Sequence, residues 1–80
     1  MPEITHEIKK HFGVLSENPR GWRKEVNLVS WNDRDPKIEI REWSEDYSKL
    51  GKGTTFLVEE VEKLKEILNS IDLKKVPKSS

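Results

Sequence analysis

Cysteine is absent from the 80 residues. That removes disulfide frameworks and thiolate metal sites, and it makes a reducing compartment the expected setting. No apolar run approaches the roughly 20 residues a membrane-crossing helix needs, and the N-terminus lacks the charged start and apolar stretch of a secretory leader. A soluble, cytoplasmic protein is expected. An excess of either charge is also missing, since 15 Lys+Arg balance 15 Asp+Glu at formal net charge +0. Indiscriminate polyanion binding usually goes with a basic domain, so any nucleic-acid site must come from local charge. Length is short too: one small domain buries a limited fraction of its surface, and association with a second copy is a common remedy.

Catalytic signatures are equally scarce. His6 and His11 fall on opposite faces of a regular strand, with no neighbouring acid to complete a triad or a metal cluster. Gly51-Lys52-Gly53 is too short for a phosphate-cradling loop and lacks the Lys-Ser/Thr that would follow one. The expectation is no enzyme, no metal and no cofactor. A small hydrolase or nuclease would need the carboxylate or histidine cluster that is not there.

What the chain does have is three tryptophans, Trp22, Trp31 and Trp43, set beside arginines and lysines in strand-like sequence. A large ring next to a cation on a sheet suits a single strand of nucleic acid, whose bases stack on the ring and whose phosphates meet the charge. Tryptophan is also mostly buried on average, so core packing stands as the alternative for each. Alternation decides faces. Even positions Ile4, Ile8, Phe12 and Val14 are apolar against Thr5, Glu7, Lys9 and His11, which predicts a first strand over about residues 4–16. The turn formers Ser16 to Gly21 follow. A second strand is expected over about residues 22–32, and Asp33-Arg34-Asp35-Pro36 makes the next turn. Lys37–Trp43 alternates as a third strand. If Val26, Leu28, Ile38 and Ile40 face a helix, then Arg23, Asn27, Trp31, Lys37, Arg41 and Trp43 share the other, solvent-facing side. Trp22 falls on the apolar side and reads as structural.

Ser44 to Gly53 reads as a flexible, basic loop leading to a short fourth strand, Thr54-Thr55-Phe56. The spacing of Leu57, Val61, Leu64, Leu68 and Ile71 then predicts an amphipathic helix whose stripe faces both its own sheet and a second subunit. Its opposite face is rich in Glu and Lys, and Glu59 and Glu60 suit its positive N-terminal end. Its start is poor, because Leu57 stands where a capping Ser, Asn or Asp is expected. Residues 1–72 form the expected domain and 73–80 a flexible basic tail.

Several segments together resemble a known family. Ser16-Glu17-Asn18, Gly21-Trp22-Arg23-Lys24-Glu25, Val29-Ser30-Trp31-Asn32-Asp33, Pro36-Lys37, Ile40-Arg41, Trp43-Ser44 and Lys49-Leu50-Gly51-Lys52-Gly53 look like the YdbC-like bacterial branch of the transcriptional coactivator p15 (positive cofactor four) family. The likeness runs over residues 7–70. It implies an α+β fold, a four-stranded antiparallel sheet followed by one helix, in a homodimer that binds single-stranded DNA or RNA with little sequence preference. Further implied partners are transcription or replication proteins, and the implied place is the cytoplasm, with the nucleoid. By similarity Arg41 and Trp43 match a strand-three arginine and tryptophan used for backbone and bases, and Lys49 and Lys52 match the basic loop after that strand. With Arg23, Lys24, Asn27, Trp31 and Lys37 they make the expected nucleic-acid surface. The eukaryotic branch is more basic where this chain has Glu25, Asn27, Asp33 and Asp35. The competing function is a protein-interaction module that docks through the sheet face or the helix stripe.

Overall fold

The computed structural model describes residues 4–78. Four strands, β1 (His6–Glu17), β2 (Arg23–Trp31), β3 (Lys37–Trp43) and β4 (Leu50–Phe56), precede a helix, α1 (Val58–Ser70), and a single 3-10 turn over Leu73–Lys75. The strands form one antiparallel meander in the order β1-β2-β3-β4. The four-strand-plus-helix α+β architecture is the one the sequence predicts.

Each connection has a local cause. Between β1 and β2 the Asn18 side chain accepts from the backbone N–H of Arg20 and Trp22, at 2.9 and 3.0 Å, while Gly21 takes φ 84. Asparagine and glycine suit such turns by self-bonding and by free access to positive φ. Between β2 and β3 both Asn32 and Asp33 adopt positive φ, and Ser30 donates to the Arg34 carbonyl at 2.6 Å. At the β3–β4 turn the Asp46 carboxylate collects the hydroxyls of Ser44 and Ser48 and the Ser48 N–H. These donors hold its carboxyl at about 2, below the ordinary 3.8.

The sheet is strongly coiled. His6 lies opposite Trp31 and Trp43 opposite Arg23, at the two ends of β2. A straight strand of that length would hold those ends about 27 Å apart, yet the His6 and Trp43 rings are 5.0 Å apart. The side bearing both is therefore concave. Three register shifts along β1 supply much of the curl, since each bulge adds a residue to one strand and increases its twist.

The interior is inverted relative to the expectation. Faces are divided as alternation predicts, but the polar face is the enclosed one. Glu25, Asn27, Glu39 and Trp43 are each 1% exposed or less, while Val26, Leu28, Ile38 and Ile40 on the convex side stay half-buried. Only Val29 and Trp43 among the described apolar side chains are fully buried. Helix α1 rests lightly on β3, buries no residue, and leaves Leu68 and Ile71 exposed while Val61 and Leu64 are half-buried.

Two further differences concern element bounds. Strand β4 begins at Leu50, so Gly51-Lys52-Gly53 lies in strand and not loop, with Gly53 paired to Arg41 and a register shift before it. In the expected tail, Asp72 caps the 3-10 turn by accepting from the Lys74 N–H at 3.0 Å; Ser79 and Ser80 lie outside the described residues. At α1 the missing cap is real, and the Glu60 carboxylate compensates by accepting the Leu57 N–H at 2.7 Å.

Candidate nucleic-acid interface

The concave face is organised by two buried carboxylates. Glu39, on β3 and 0% exposed, accepts from the Trp31 indole N–H through one oxygen and from Arg41 Nε through the other, both at 2.6 Å. Arg41 also donates to the Gly51 carbonyl at 2.9 Å, and its guanidinium lies 4.9 Å from the Trp31 ring centre. A cation over an indole face is attracted by the ring quadrupole. Glu39 thus holds the ring and the cation together from below.

Glu25, on β2, does the same on the other side. Tyr47 donates its hydroxyl to one oxygen at 2.8 Å, Asn27 donates to the other at 3.1 Å, and Arg23 Nε stands 3.1 Å from the first. Arg23 lies 5.2 Å from the Tyr47 ring centre. Buried charge is tolerated only when paired and hydrogen-bonded, and each carboxylate meets that condition with partners from several elements. Burial, with the Glu25 carboxylate beside it, raises the Tyr47 phenol above its ordinary value. Tyr47 reaches this place from a left-handed backbone, φ 62, an uncommon conformation for a bulky residue that the surrounding turn must hold.

Between the two units sits Trp43, at 0% exposure. Its ring is flanked by His6 at 5.0 Å and Tyr47 at 5.7 Å. The solvent-facing position expected of Trp43 is not found, nor is that of Asn27, because the curl brings β1 and the β3–β4 turn over them. Trp31, half-buried, keeps part of its surface open. Two donors on this face are buried without a hydrogen-bond acceptor among the described residues, Trp43 Nε1 and Arg23 Nε, the latter meeting Glu25 as an ion pair only.

The histidines belong to the same face. The expectation of opposite sides assumed a regular strand; His6 pairs with Trp31 and His11 with Asn27, five residues apart on β1 against four on β2. The extra residue turns both rings inward. His6 packs 5.4 Å from Trp31, and His11 Nδ1 is 2.7 Å from the Asn27 side-chain oxygen. The bulge left no mark in the alternation that would have located it.

The expected basic residues divide between the faces. Arg23, Lys37 and Arg41 share the concave side, whereas Lys24 and Lys52 line a hollow on the convex side with Ile40 and Phe56. Lys49 is exposed at the end of the β3–β4 turn. Glycine at 53 is required by the packing: a Cβ there would stand 2.6 Å from Arg41 Cζ and 2.8 Å from Arg41 Cβ, so β4 must be bare where the arginine crosses it. Sequence reasoning did not single out Glu25, Glu39 or Tyr47, since an acid within a strand or a tyrosine within a polar loop carries no signal of its partners. The available signal was the pairing itself, Glu39 two residues before Arg41 and Glu25 two after Arg23 on strands whose odd positions share a face. Among the described residues no group of three His, Cys, Asp or Glu could hold a metal.

Comparison with known proteins places the chain in a family. The family model for Transcriptional Coactivator p15 (PC4) matches residues 18–67, from the β1–β2 turn well into α1. A protein of Treponema pallidum (strain Nichols), described only as uncharacterized, is 43% identical over 71 residues, 89% of this chain and 84% of the relative. The family match takes in both carboxylate hubs, the glycine at 53 and most of the helix that follows, and the chain belongs to the transcriptional coactivator p15 (PC4) family.

Proposed function

We propose that the chain binds single-stranded DNA with little sequence preference, as a homodimer and in a coactivator-like role, through the concave face. One observation carries the reading: ring and cation are held against each other twice, Trp31 with Arg41 and Tyr47 with Arg23, each fixed by a buried carboxylate. Bases of any identity have a π-face to stack, so a ring platform with neighbouring cations takes a strand without reading its sequence. Family membership supports the same ligand. Lys37 and Lys49, exposed at the edges of this face, supply phosphate contacts; Lys24 and Lys52 serve a strand that continues round to the convex side. The binding role expected of Trp43 becomes one of supporting the rings that flank it. RNA is the ligand to compare, since a stacking surface of this kind accepts either backbone.

Titration with oligo-dT while following tryptophan emission tests the reading. Stacking on Trp31 should quench it, and Trp31→Ala should cost about 1–3 kcal/mol of affinity. A competing reading, in which the chain docks on another protein, is favoured by the exposed helix stripe. It requires emission that does not respond to oligo-dT, oligo-rU or duplex.

A further inference from the structure

We infer that Glu39 and Glu25 are positioning residues that make the concave face selective for unpaired strands, by cancelling the charge of its arginines while fixing the geometry of its rings. This rests on the single-strand reading above. Both acids are buried, at 0% and 1% exposure, on a surface offered to a polyanion. A carboxylate there opposes phosphate binding unless it performs a task that outweighs the repulsion. The task is visible in the contacts: Glu39 accepts from Trp31 and Arg41 with separate oxygens, and Glu25 accepts from Tyr47 and Asn27 while standing as an ion pair 3.1 Å from Arg23 Nε.

The consequence for selectivity follows from how duplexes and single strands are held. Duplex DNA presents phosphates but no exposed base faces, so a protein attracts it by charge, with the counterion release that makes affinity fall steeply with salt. An unpaired strand also offers bases for stacking. Arg41, with its side chain 14% exposed and already paired to Glu39, contributes little net charge but keeps its guanidinium over Trp31. Arg23, more open at 27% side-chain exposure, is likewise ion-paired to its carboxylate, Glu25, and set over Tyr47. The face therefore gives up attraction common to both ligands and keeps the part that only an open strand can use.

Three variants separate charge from position. In Glu39→Gln the amide can still accept from Trp31 but no longer neutralises Arg41. The slope of log affinity against log salt for oligo-dT should steepen by about 0.7 if the freed guanidinium gains one phosphate. The ratio of oligo-dT to duplex affinity should fall several-fold. Glu39→Asp keeps the charge but is one methylene short of its partners, so the slope should stay at the wild-type value while oligo-dT affinity drops. Glu25→Gln repeats the first test on the other hub and serves if Glu39→Gln does not fold. Acids that act only in folding would lower the melting temperature in all three with slope and ratio unchanged in the folded protein, and that result overturns the inference. Wild-type protein that fails to bind oligo-dT overturns the single-strand reading as well, so the two failures are distinguishable.

Discussion

Trp31 and Trp43 stand on the same face, a few ångströms either side of His6, and have different work. Trp31 is tied by its indole N–H and keeps an open side, whereas Trp43 is enclosed. Trp43→Ala should therefore cost about 3–5 kcal/mol of stability through lost burial and the cavity left behind. Thermal unfolding should show a large fall in melting temperature; an unaltered melting temperature would mean that the ring is not enclosed in solution. Tyr47 permits a second test. Its raised phenol pKa means that the neutral form is favoured by folding, so the contribution is complete below the ordinary value near 10.0 and is lost as pH rises through that value toward the folded one. Tyr47→Phe should be less stable than wild type at pH 7, because a buried oxygen of Glu25 loses its donor. The gap in melting temperature should hold below the ordinary value of 10.0 and narrow as pH rises above it. A gap constant with pH would refute the coupling.

At the scale of elements, alternation was enough to assign faces: Arg23, Asn27, Trp31, Lys37, Arg41 and Trp43 do stand together, because parity along β2 and β3 is all that the assignment needs. Which face closes was not legible. That depends on the coiling produced by three irregularities in β1, and bulges do not announce themselves in a single sequence. The roles of Glu25 and Glu39 were hidden for the same reason, since Tyr47 lies 22 residues from the first and Trp31 eight from the second. The second half of β4 is legible as a strand, whereas its first half, Leu50 to Gly53, reads as loop because Gly51 and Gly53 present no side-chain pattern. Their bareness is the requirement, for Trp22 and Arg41 lie against them. The helix was the easiest element to read, its stripe being long and regular, and Leu57 and Ile71, the ends of that stripe, are the two residues that flank α1.

For the whole molecule the difficulty is where its hydrophobic core lies. Five polar or charged residues are buried against two apolar ones among those described, while Phe12, Val14, Leu57, Ile67 and Leu68 remain exposed. The radius of gyration is 14.6 Å, against about 12 Å for a compact domain of this length. The proposed dimer would answer this exposure: a second copy covering the helix stripe, joined through Leu57, Val61, Leu64, Leu68 and Ile71, would enclose apolar surface that a single chain leaves open. Leu68→Asp makes the distinction, because Leu68 is 55% exposed in the single chain. If the chain acts alone, the substitution is a surface change worth no more than about 0.5 kcal/mol in either direction. If the stripe is an interface, a charge is placed in an apolar contact, and the protein should dissociate or unfold. Wild-type protein should sediment as a dimer with a melting temperature that rises with concentration, as mass action requires when folding and association are linked. A folded wild-type monomer at micromolar concentration, with Leu68→Asp melting at the same temperature, would leave the stripe as a docking surface for another protein and the dimer without support.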